Sequence, residues 1–87
     1  MTKVVRFTAS WCGPCRVLAP IFNELAADFA SRASFETIDI DEDPEYAAAN
    51  RVTSVPQIII FKDEKESQRY IGVKPKATYI ANFNAIL

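Results

Sequence analysis

Histidine is absent from this 87-residue sequence, and glycine occurs twice. Without histidine there is no Ser-His or Cys-His pair to activate a nucleophile and no imidazole to hold a metal. With so few glycines there is no dinucleotide or P-loop signature. An excess of charge of one sign is also missing. The 10 basic and 11 acidic residues leave a net charge of −1, which favours neither nucleic acid nor an anionic membrane surface as a partner. The first ten residues hold no apolar stretch long enough for a signal peptide, because Arg6 interrupts it, and no later run approaches a membrane span. The expectation is a soluble, cytoplasmic protein. The two cysteines, Cys12 and Cys15, could close only a tiny loop, which would staple almost nothing as a structural disulfide.

What is present suffices for one core. The length fits a single domain over residues 1–87. Ile, Phe, Val and Leu (9, 6, 6 and 3) make up 24 of the 87 residues, above the roughly one-fifth below which disorder is expected. Lys3 to Thr8 is β-branched and aromatic and reads as a strand. From Pro14 the apolar residues Val17, Leu18, Ile21, Phe22, Leu25, Ala26 and Phe29 recur at helical spacing, with Pro20 predicting a kink inside the helix. Phe35 to Ile40 reads as a second strand. Asp43-Pro44 is an N-cap followed by proline at the first helical position, opening a short helix to about Asn50. Gln57 to Lys62 is a continuous apolar run, expected of a strand buried on both faces. A polar turn over Asp63–Glu66 leads to a strand from Ser67 to Ile71, broken by Gly72. Pro75 opens a last helix with Tyr79, Ile80, Phe83, Ile86 and Leu87 inward. The order β-α-β-α-β-β-α combines a parallel pair joined by a crossover with an antiparallel pair. That predicts an α/β fold, one mixed four-stranded sheet with helices on both faces.

Cys12-Gly13-Pro14-Cys15 falls where the first strand gives way to the first helix. A helix N-terminus offers unpaired N–H groups and a positive dipole end, which favour the Cys12 thiolate over the thiol. A thiolate is the attacking species in disulfide exchange, and Cys15 is placed to resolve the mixed disulfide that results. Cys12 is therefore read as the nucleophile and Cys15 as the resolving thiol, with Cys12 alone expected to alkylate quickly. A zinc site would need two copies sharing one ion, because two cysteines supply half the ligands of a closed site. The Asp39–Asp43 acidic run mimics a calcium loop but puts Pro44 where glycine is needed and Asn50 where a bidentate Glu is needed. No metal site is predicted.

Ala9-Ser10-Trp11-Cys12-Gly13-Pro14-Cys15-Arg16, followed by Leu18-Ala19-Pro20, resembles the active-site segment of the thioredoxin family. The likeness extends through Ile38-Asp39-Ile40-Asp41, Pro44, Val52 to Pro56, Ile60-Phe61-Lys62 and Gly72. It implies a thioredoxin-like fold, a thiol-disulfide oxidoreductase that reduces protein disulfides, and no cofactor of its own. It further implies a cis Val55-Pro56 peptide facing Cys12, whose backbone an extended substrate can pair with. Trp11, Gly13, Pro14, Ser54, Val55, Pro56, Gly72 and Val73 correspond to the family's substrate-binding rim. The electron donor it implies is a flavin-dependent thioredoxin reductase. The rival is a glutaredoxin-like enzyme fed by glutathione, and a further rival of another class is a non-catalytic binding module.

Three departures stand out. The sequence starts at Met1 without the family's additional strand and helix, so the sheet is expected to have four strands, with Phe35–Ile40 at an edge. That edge is open to weak self-association or protected by Glu36 and Asp39; the chain is otherwise read as a monomer. Gln57 replaces the family's usual Thr after the cis proline. Arg6 stands where the family has a buried Asp, and Thr37 where that Asp has a Lys partner. Arg6 cannot serve as a base. It either raises thiolate character at Cys12 by its charge, or points to solvent or to Asp39 or Glu36 and touches neither sulfur.

Overall fold

The computed structural model describes residues 1–87. Along them run β1 (Thr2–Thr8), α1 (Gly13–Asp28), β2 (Ser34–Asp39), α2 (Pro44–Ala49), β3 (Gln57–Lys62), β4 (Lys65–Ile71) and α3 (Lys76–Ile86). The sheet order is β2-β1-β3-β4. β1 is parallel to β2 and antiparallel to β3, and β3 is antiparallel to β4. This is the four-stranded mixed sheet that the element order predicts, with β2 at one edge.

Alternation along β1 divides the core. Val4 packs with Ile58 and Ile60 of β3 under α1 and α3, where Leu18, Phe22, Leu25, Tyr79 and Phe83 complete the larger cluster. Val5 and Phe7 point the other way, joining Ile59, Phe61, Ala47 and Val52 on the side of α2. β3 is sealed on both faces, with Ile58, Ile59 and Ile60 at 0% exposure. Its uninterrupted apolar run follows directly from that position.

Local chemistry sets the element ends. α1 runs unbroken through Pro20, because the apolar stripe continues on both sides of it and the packing outweighs one lost backbone donor. Asp43 caps α2 by accepting the Tyr46 N–H at 3.2 Å. α2 closes with Arg51 in the left-handed region (φ 57°), the Val52 N–H reaching the Ala47 carbonyl and the Arg51 N–H the Ala48 carbonyl. One expectation is corrected. The β3–β4 turn is not the four residues Asp63–Glu66 but the pair Asp63-Glu64, both with positive φ (51° and 70°), and Lys65 already belongs to β4. Two left-handed residues match the twist of a tight hairpin, so the strands pair closer to the tip than the polarity of Lys65 and Glu66 suggests.

Candidate active site

β1 delivers the chain into a turn in which the Cys12 N–H donates to the Ala9 carbonyl at 3.2 Å. Cys12 then caps α1. Its backbone is extended (φ −92°, ψ 109°), and its Sγ accepts the Cys15 N–H at 3.2 Å. Cys12 and Cys15 are joined by a disulfide across Cα atoms 5.3 Å apart. Both are buried, and they form a small cluster with Ala9 against which Ile40 and Val55 pack. Pro14 lies in the first turn of the helix, where its missing N–H costs nothing. At Gly13 a Cβ would meet no protein atom within 4 Å. Its glycine therefore keeps the surface beside Cys12 low for whatever approaches.

Two further segments pack on this cluster through Ile40 and Val55, and a third is bonded to the second. The first is the loop after β2, where the Ile40 N–H donates to the Thr8 carbonyl at 2.9 Å and the Asp41 N–H to Asp39 Oδ1 at 2.8 Å. Asp41 thereby presents Oδ2 to the indole N–H of Trp11 at 2.8 Å, and Trp11 stands 65% exposed. The second is Ser54–Pro56, with Val55-Pro56 cis, as the sequence resemblance implies, and Val55 against the cysteine cluster. The third is Gly72–Lys74. Gly72 has φ +82°, which favours glycine, and its N–H donates to the Pro56 carbonyl at 2.9 Å. The Tyr79 hydroxyl accepts the Lys74 N–H at 3.0 Å and donates to the Gly72 carbonyl at 3.5 Å. Burial raises its pKa, so it remains a neutral donor. Ser54 and Val73 are exposed at the rim.

Arg6 is not brought into this cluster. On the α1 side of the sheet its guanidinium lies 5.3 Å from the Phe22 ring and donates to Thr37 Oγ1 at 3.3 and 3.4 Å. Burial lowers its pKa. The expected carboxylates are otherwise engaged, Glu36 with Lys3 at 3.5 Å and Asp39 with the Asp41 N–H. The alternative that paired Arg6 with one of them is thus corrected: Thr37 lies directly opposite Arg6 in the parallel register and is nearer to hand. Sequence reasoning also missed Asp41 as the acceptor for Trp11, Tyr79 as the clasp of the Gly72 loop, and Arg69, treated below. The only signal was Asp39 two residues before Asp41, a spacing that suits a side-chain turn.

Neither Cys12 nor Cys15 lines any of the three cavities of the molecule. The largest cavity, about 650 Å³, lies at the opposite end of the sheet, lined by residues such as Lys3, Tyr46 and Phe61, and contains none of these groups. Exposed Trp11, Ile71 and Val73, with no cavity at the cysteines, suit a macromolecular partner better than a small ligand.

A family model described as thioredoxin matches residues 1–85. Thioredoxin of Staphylococcus aureus, in strains N315 and COL among others, is 43% identical over 74 residues, covering 85% of this chain and 71% of that protein. The X-ray structure of Fasciola hepatica thioredoxin aligns with a TM-score of 0.87 at 34% identity, over 97% of this chain and 79% of that one.

Proposed function

Since the chain belongs to the thioredoxin family and holds its two cysteines as a disulfide, it is a protein dithiol–disulfide oxidoreductase, in which we propose that Cys12 attacks and Cys15 resolves. The observation that carries this assignment is the Cys15 N–H donated to Cys12 Sγ at the start of α1. In the reduced form that bond and the helix end stabilise a thiolate at Cys12 and offer nothing comparable to Cys15.

The cycle begins with both cysteines reduced. Cys12 Sγ attacks one sulfur of a substrate disulfide, forming a mixed disulfide and expelling the first substrate thiolate. Cys15 Sγ then attacks Cys12 Sγ, the Cys12–Cys15 disulfide forms, and the second substrate thiolate leaves. Two electrons pass to the substrate, and its two thiolates take up protons. Arg6, at the position where the family has an acid, cannot act as a base, so the Cys15 proton passes to water or to the departing thiolate. Arg6 is held against Phe22 and Thr37 and not among the sulfurs; titrating the Cys12 thiolate absorbance in wild type and Arg6→Met tests its charge, an unchanged value leaving Arg6 as packing alone and a higher value in the variant assigning it an electrostatic role.

Disulfide-containing proteins are the substrates and a reductase the partner, as for the family in general. The finer reading is a single domain over residues 1–87, acting as a cytoplasmic monomer and taking electrons from a thioredoxin reductase. Trp11, Gly13, Pro14, Ser54, Val55, Pro56, Gly72 and Val73 form the docking face, and neither metal nor cofactor is needed. No helix is long and apolar enough to cross a membrane. Insulin reduction driven in turn by NADPH with a thioredoxin reductase and by glutathione with its reductase tests the donor. Turnover with the first alone is expected, and turnover with glutathione alone would make the enzyme glutaredoxin-like. Mass mapping after brief iodoacetamide treatment of the reduced protein tests the roles, with label expected on Cys12 and equal labelling of Cys15 refuting them.

A further inference from the structure

Gln57 is the one polar residue in the buried set, 2% exposed, and it directly follows the cis Val55-Pro56 bond. A buried amide has to place both a donor and an acceptor. Its Nε2 donates to the Ser54 carbonyl at 3.0 Å, with the Ser54 hydroxyl at 3.4 Å, and its Oε1 accepts from Arg69 Nη1 at 2.9 Å. Arginine only donates. Arg69 therefore dictates which way the amide faces, oxygen toward itself and nitrogen toward Ser54.

Arg69 is itself held from two sides. Its Nε and Nη2 grip the Glu66 carboxylate at 3.0 and 2.8 Å, and Nη2 also donates to the Asn50 carbonyl at 2.7 Å, at the end of α2. A line of directional bonds thus runs Glu66–Arg69–Gln57–Ser54, from the β3–β4 hairpin along the α2 face of the sheet to the loop beside the disulfide. Its last link matters because no backbone–backbone hydrogen bond anchors Thr53, Ser54 or Val55. The Gln57 amide is what ties that backbone down. It does so at the Ser54 carbonyl, leaving the N–H and C=O of Val55 open to an incoming extended chain.

The geometry points to Gln57 as a positioning residue for protein substrates, with Arg69 as the group that orients it. This rests on the reading that an extended substrate docks along Ser54–Pro56 while Cys12 attacks its disulfide. The line touches neither sulfur, so it acts on how a polypeptide is held and not on exchange itself.

The test compares wild type, Gln57→Met and Gln57→Glu, reduced by dithiothreitol, on insulin and on a nitrobenzoate disulfide dye too small to lie along the loop. Gln57→Met keeps length and suits an apolar surround while removing both bonds. Its KM for insulin rises roughly five- to tenfold, the scale of one net hydrogen bond, with kcat and the dye rate within about twofold of wild type. Gln57→Glu keeps a partner for Arg69 but turns a carboxylate oxygen on the Ser54 carbonyl, and raises KM at least as far. Arg69→Met gives a smaller rise that adds nothing in the Gln57→Met background, the mark of groups acting in series. An unchanged insulin KM in a Gln57→Met protein with a normal melting transition overturns the inference, as does equal loss on insulin and dye. If Gln57→Met fails to fold, Arg69→Met carries the same test, and an unchanged KM there overturns it too. A wild type that reduces neither substrate sinks the dithiol reading itself, and this inference with it.

Discussion

Where β1 runs into α1, the chain is held by backbone groups: the Cys12 N–H on the Ala9 carbonyl, the Ile40 N–H on the Thr8 carbonyl and the Gly72 N–H on the Pro56 carbonyl. Where β1 begins, a single such bond, the Asp63 N–H on the Met1 carbonyl at 2.9 Å, is supplemented by exposed charge. The Met1 amine pairs with Asp63 at 2.7 Å, and Lys3 pairs with Glu36 at 3.5 Å while its ammonium sits 5.8 and 5.7 Å from the Tyr46 and Phe61 rings. That second end has the larger cavity, and the first has the chemistry. Exposed ion pairs contribute little and adjust easily, whereas backbone bonds around a buried sulfur fix positions to fractions of an ångström. Reactivity here follows the kind of bonding that surrounds a group more closely than it follows concavity.

The largest expected effect separates the two ends outright. Cys12→Ser abolishes insulin reduction, while Asp63→Ala leaves the rate within about twofold; a comparable loss in Asp63→Ala would end the distinction. Next comes the slab between them. Leu25 is fully buried on the inner face of α1, and Leu25→Ala costs about 2–5 kcal/mol in urea unfolding without changing the alkylation rate of Cys12 in the folded protein. A change in that rate would mean the site end is not held locally.

A smaller effect tests the link between the ends. The hydrogen bond from Arg69 holds the Glu66 carboxyl below its ordinary 4.5. Because the folded value is the lower one, the pair's contribution is complete above about 4.5 and is lost as pH falls through the folded value. Glu66→Gln removes this part of the acid sensitivity, read as a flatter dependence of the urea midpoint on pH below that point. The smallest effect lies in the core. The Tyr70 hydroxyl is buried with no hydrogen-bond partner, Gln68 lying near it without bonding geometry. Tyr70→Phe is therefore neutral or stabilising by about 1 kcal/mol or less in the same unfolding assay.

Much of the fold was legible because it rests on short-range pattern. The apolar stripe from Val17 to Phe29 required a helix, Asp43-Pro44 a helix start, and Gln57 to Lys62 a strand buried on both faces. The cysteine pair was legible for the same reason, its strand-to-helix context lying within a few residues. The rest depends on which long side chains meet across the sheet. Arg6 finds Thr37, 31 positions away, and Arg69 finds Gln57, 12 positions away, only once strand register is set. Nothing local to Gln57 announces that its amide will face Ser54. The hairpin at Asp63-Glu64 was misjudged because Lys65 and Glu66 are polar for the sake of an exposed strand, and polarity alone cannot tell that from a turn.

Trp11 is the only tryptophan in the chain, half out in solvent, adjacent in sequence to Cys12 and tied by its indole N–H to the Asp41 carboxylate. Light absorbed at the red edge of the aromatic band is therefore re-emitted from one place in the molecule, beside the sulfurs. Disulfides quench indole emission and thiols do so less, so the protein carries its own optical gauge of redox state. Reduction is expected to brighten it, and a fluorescence titration with dithiothreitol reads that change with no label attached.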